Sequence, residues 1–99
     1  MLAKDVKPGT ILYIVFKGMM GILEVDHIIE FKSHRRFILI WVINPWRKET
    51  VFGFLDFNYD EQVHNDIGYN KSLSSKDVEF TLITADEKEA VNRLKIQQT

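Results

Sequence analysis

Along most of this chain apolar and polar positions alternate with the two-residue period of strands, and a helical period emerges only near the C-terminal end. Residues 10–16, Thr-Ile-Leu-Tyr-Ile-Val-Phe, are β-branched and aromatic with apolar side chains on both faces, which predicts a buried first strand. Gly18-Met19-Met20-Gly21 sets two residues between glycines and predicts a tight hairpin reversal there. From 22 to 31 the alternation puts Leu23, Val25, His27, Ile29 and Phe31 on one face, and Glu24, Asp26, Ile28 and Glu30 on the other. This second strand has one wet face, and the placement makes His27 a hydrogen-bonded residue of the core or its rim.

Lys32-Ser33-His34-Arg35 reads as a polar turn. Residues 36–43 form the most hydrophobic strand, covered on both faces. Asn44-Pro45-Trp46-Arg47-Lys48 is a further turn, because proline cannot donate to a ladder. A fourth strand follows over 49–57, then a long polar loop over 59–75 and a fifth strand over 77–83. Thr84-Ala-Asp-Glu87 matches a capping box and starts a helix over about 85–96. Ala90, Val91 and Leu94 give that helix a narrow apolar stripe, and Arg93 and Lys95 complement its C-terminal dipole. The expected fold is mainly β with one C-terminal helix. A small meandering antiparallel sheet curls into an SH3-like or related barrel, closed by the helix, in a single domain over 1–99.

An apolar fraction of 45% and a charged fraction of 27% belong to an ordinary globular chain. The absence of cysteine excludes a disulfide framework, a thiolate zinc site and a Cys nucleophile. A formal charge of −1 supplies no global attraction to nucleic acid or anionic lipid, so such binding would need a local patch. The first residues carry no apolar signal segment, and the longest apolar run, 37–43, is far too short to span a bilayer. The expectation is a cytoplasmic protein without a membrane partner.

Asp56-Phe-Asn-Tyr-Asp60 imitates the start of a calcium-binding loop, but its sixth position is Glu61 rather than Gly and its twelfth is Ile67 rather than Glu. His27, His34 and His64 have spacings that fit no metal motif. No metal or cofactor is therefore expected. The chain has no nucleophile elbow or phosphate-cradling glycine loop, and His64, Asp66 and Tyr69 describe an ordinary polar loop, so no catalytic residue and no enzyme activity are expected.

The leading functional expectation is a small non-catalytic protein-binding module, whose partner is another protein or a second copy of itself. Strand alternation brings Met19 and Met20 to the end that carries Trp46 and Arg47, and adaptable methionines beside an aromatic and an Arg resemble an interface centre. The competing role for Trp46 is a lid over the barrel's open end. Small cysteine-free domains of this size also occur as accessory proteins of mobile elements that inhibit a host factor. A first alternative is nucleic-acid binding through Lys32, His34, Arg35 and Arg36, with Phe31 and Phe37 beside them, although the following acidic turn lies at the same end. A second is a small-ligand pocket at the barrel mouth, built from Tyr13, Trp41 and Tyr69.

Overall fold

The computed structural model describes residues 1–44, 47–66 and 82–98, with side chains described for all of these except 43–51. After a 3-10 turn at Ala3–Asp5 come β1 (Ile11–Phe16), β2 (Met19–Glu30), β3 (His34–Asn44) and β4 (Arg47–Asn58). Then come β5 (His64–Asp66), β6 (Leu82–Thr84) and α1 (Glu87–Gln98). The strands form one sheet in the order β4-β3-β2-β1-β6-β5, every neighbouring pair antiparallel. The protein is mainly β, and its sheet curls into a half-barrel with one C-terminal helix. The meander expected for the first four strands is present, whereas the chain then returns to lay β6 against β1 on the far side.

The β1–β2 reversal sits at Lys17–Gly18, both with positive φ (49° and 71°), and not at Met19–Met20. Two consecutive positive φ values match the right-handed twist of a two-residue hairpin, and Gly18 accepts one of them without strain. Met19 and Met20 therefore lie inside β2, opposite Phe16 and Val15, on opposite faces of the sheet.

A register shift between Val25 and His27 changes the phase of β2. Before it, Leu23 and Val25 are fully buried in the concave core; after it, Ile28 packs inward while His27, Ile29 and Phe31 are exposed. The expectation that His27, Ile29 and Phe31 share the buried face is thereby corrected. The extra residue of a bulge reverses the alternation for everything that follows it.

Leu12, Ile14, Phe37, Leu39, Phe57 and Ile83 join Leu23 and Val25 in the concave core, which Ala3, Val6 and Val63 close at the end carrying the β2–β3 turn. On the convex side α1 covers β1 and β6 through Ala90 and Leu94, which pack with Tyr13, Val15 and Leu82. The helix starts two residues later than the capping box implies. Thr84 lies in β6 and accepts from the Asp86 amide (3.1 Å), and Asp86 Oδ1 accepts from the Lys88 amide (2.9 Å) as the true cap. Arg93 is buried rather than free at the helix end, and it donates twice to Asp66 of β5, at 3.0 and 2.5 Å. The expected loop over 59–75 contains β5, and its residues from 67 onward lie outside the described residues, as do 77–81 of the expected fifth strand.

Candidate functional site

Among the described residues, Phe31 and Phe54 form an exposed aromatic cluster with Arg36 on the convex face of β2, β3 and β4. Cross-strand register aligns Ile29 with Arg36 and Arg36 with Asp56, and on the next row Ile38 with Phe54. The Arg36 guanidinium lies 4.2 Å from the centroid of Phe54 and 5.1 Å from that of Phe31, so the cation is sandwiched between two rings. His34 stacks on Phe31 at 4.5 Å with the planes only 9° apart. Phe54 is 56% exposed and Phe31 and Ile29 each 39%, values far from those of core residues.

This cluster is held in place from within. Arg36 donates through Nε to Asp56 Oδ1 (2.8 Å) and through Nη2 to Asp56 Oδ2 (3.0 Å), a bidentate pair with fixed geometry. Hydrogen bonding to Arg36 holds the Asp56 carboxyl below its ordinary range, and hydrogen bonding to Asp56 raises Arg36. His34 Nε2 stands 3.8 Å from the same carboxylate. The result is a rigid, nearly charge-balanced surface of aromatic, aliphatic and Arg groups.

Arg35, its sequence neighbour, points the other way into the half-barrel and is only 9% exposed. Its Nη1 donates to the carbonyls of Ala3 (2.5 Å) and Val6 (3.0 Å), and its Nε to Glu30 (2.9 Å). The Tyr59 hydroxyl donates to the other Glu30 oxygen (2.5 Å). That bond and the Arg35 contact hold Glu30 below the usual carboxylate value, and the same bond raises Tyr59. The basic cluster read from sequence is thus divided: Arg35 clamps the N-terminal segment, Arg36 is neutralised by Asp56, His34 stacks on Phe31, and Lys32 stands exposed in the turn. Phe37 belongs to the core as expected; Phe31 does not.

Comparison with known proteins finds no match to this chain among family models, curated proteins or solved structures.

Met19 and Met20 are both exposed, but the strand sends them to opposite faces. Trp46 and the side chain of Arg47 lie outside the described residues, so this cluster is described in part only. Tyr13 packs on the helix side of the sheet and Trp41 on the concave side, so the two do not line one pocket, and Tyr69 lies outside the described residues. Trp41 instead borders an apolar recess of about 230 Å³ with Ile14, Phe16 and Phe52, its ring edge-on to Phe52 at 5.0 Å. A second recess of about 310 Å³ lies between Met1, His64 and the start of α1; His64 Nδ1 there is 3.4 Å from Thr84 Oγ1. The carboxylates of the calcium-like loop are engaged with cations, Asp56 with Arg36 and Asp60 with Lys4 at 3.6 Å. Among the described residues no group of three or more His, Asp or Glu side chains is arranged to hold a metal ion, and no helix is long and apolar enough to cross a membrane.

Strand alternation alone gives Phe54 and Ile29 no role in a binding surface. For Phe54 the signal is a lone aromatic alternating with Asp56 and Asn58, on the face opposite Leu55 and Phe57. For Ile29 no signal is present without the bulge.

Proposed function

We propose that this protein is a small non-catalytic protein-binding module that uses the convex face of β2–β4 as its contact surface. The observation that carries this reading is Arg36, locked between Phe31 and Phe54 with its charge met by Asp56. Interface hot spots are enriched in aromatic residues and Arg, and rigid side chains lose little entropy on binding. A nucleic-acid site needs cations free to replace counterions, and here Arg35 and Arg36 already serve carbonyls and carboxylates. On this reading the protein acts in the cytoplasm as an accessory or inhibitory factor, by occupying a partner's surface. Tagged wild-type protein, Phe54→Ala and Trp46→Ala, compared for the proteins each recovers, test it. Loss of a specific protein with Phe54→Ala supports the convex face. Loss with Trp46→Ala alone moves the contact to the Met19 end, and salt-sensitive recovery of nucleic acid by all three overturns the reading.

A further inference from the structure

The sheet has one long open edge. Among the described residues β4 borders the sheet on one side, and β5, three residues long, borders it on the other. Asn58 of β4 turns its backbone away from β3: its amide donates to Glu61 Oε1 (2.7 Å) and its carbonyl accepts from the Glu61 amide (3.1 Å). Successive residues of an antiparallel strand bond to alternate sides, so Asp56 and Phe54 also direct their N–H and C=O outward, while Phe57, Leu55 and Gly53 face β3. Among the described residues none hydrogen-bonds to these outward groups of Phe54 and Asp56. Resting on the proposed protein-binding reading, we infer that this edge takes up an extended segment of a partner protein as an added strand, with one apolar side chain of that segment seated in the recess beside Phe52 and Trp41.

The outward donors and acceptors repeat at about 6.8 Å along β4, the two-residue spacing of an extended backbone, and an extended chain offers complementary groups at that same spacing. Edges that must stay unpaired are blunted by Lys, Pro or shortness. Residues 52–57, Phe-Gly-Phe-Leu-Asp-Phe, contain neither residue, and their one charge, Asp56, is met by Arg36. Selectivity comes from the side chains flanking the edge. Gly53 pairs with Leu39 and Val51 with Ile40, so Phe52 is the extra residue of a bulge. The bulge puts Phe52 on the concave side, edge-on to Trp41, whereas Phe54 stands on the convex side against Arg36. A Cβ added to Gly53 between them would meet nothing within 4 Å, so the edge is open there. An added strand sets alternate side chains beside Phe54 and over the recess of about 230 Å³ lined by Ile14, Phe16, Trp41 and Phe52. About 150 Å³ already accepts a benzene ring, so the recess has room for one Leu, Ile or Phe side chain. The segment recognised is therefore extended, free of Pro where it bonds β4, and apolar at the position that faces the recess.

Random peptides of about eight residues, the length of an ordinary strand, selected on the immobilised full chain and then N-methylated one amide at a time, test this. The expected result is that methylation of alternate amides lowers affinity about ten-fold or more, while the amides between them tolerate it. On the protein, Phe52→Ala should weaken the same peptides. Phe54→Pro, which lacks the outward N–H but suits an edge strand, should weaken them more than Phe54→Ala, with melting temperatures showing that all three variants fold. Recovery of no peptide, or a flat methylation scan, overturns strand addition, and the scan needs no altered protein. A flat scan with binding lost in Phe54→Ala overturns the edge and leaves the convex face standing, whereas alternating sensitivity with Phe54→Ala at wild-type affinity upholds the edge and removes that face. A dimer of the chain alone, seen by sedimentation and lost in Phe54→Pro, makes a second copy the occupant and overturns the partner segment.

Discussion

Arg36 and Asp56 face each other directly across β3 and β4 and share two hydrogen bonds, at 2.8 and 3.0 Å. That pairing fixes where the guanidinium sits, and the guanidinium in turn fixes the tilt of Phe31 and Phe54. Asp56 is held below its unfolded value chiefly by the Arg36 hydrogen bond, and Glu30 below its own chiefly by the Tyr59 hydroxyl. A carboxylate whose folded pKa is depressed adds stability above its unfolded value, and this is lost as pH falls through the folded one. Wild-type melting temperature should therefore drop between neutral pH and about pH 3, and Asp56→Asn should drop less over the same interval. Equal acid sensitivity in a pair of melting series would show that Asp56 is not titrating against Arg36.

Arg35→Ala removes the clamp on Ala3 and Val6 and should cost roughly 2–4 kcal/mol, since two buried carbonyls lose a charged donor. Arg35→Lys keeps the charge but not the fork and should recover only part of it. The midpoint of urea unfolding measures both.

A Cβ added to Gly21 would stand 2.7 Å from Cζ3 of Trp41 and 3.1 Å from Cγ2 of Ile14. Gly21→Ala stiffens the unfolded chain, worth about 0.4–1 kcal/mol, but the clash with packed side chains costs about 1–3 kcal/mol, so destabilisation wins. In a Trp46→Phe background the emission of Trp41 should shift as its ring moves. An unchanged spectrum with raised stability would place Trp41 away from β2.

Asp66 and Arg93 join β5 to α1 with both side chains almost buried, at 13% and 10% exposure. Arg93→Ala leaves the carboxylate without its bidentate donor and should destabilise by about 3–5 kcal/mol, the usual cost of breaking a buried pair on one side. Hydrogen exchange should then show α1 amides opening before those of β1–β3.

The sheet was largely legible because periodicity of two survives wherever one face is buried: the first three hairpin partners and the helix all fall within a few residues of their expected places. The positions that went astray share a cause. The shift at Val25/His27 is a single extra residue that no propensity announces, yet it exchanges the faces of Ile28 and Ile29 and so decides which side chains are available for binding. The capping box failed similarly, since Thr84 pairs with Tyr13 in the sheet and leaves the cap to Asp86. Arg35 and Arg36 are indistinguishable in a sequence. Strand alternation sends one into the core and the other to the surface, which divides a basic cluster that looked like one site.

The most direct test of the convex face is the affinity of wild type and Phe54→Ala for the protein that wild type binds, with the melting temperature of each measured alongside. Phe54 is exposed, so its truncation should change stability by no more than about 0.5–1 kcal/mol. The account predicts an affinity loss of about thirty-fold or more at nearly unchanged melting temperature. Equal affinity for the two proteins would contradict it and move the contact away from Phe31, Arg36 and Phe54.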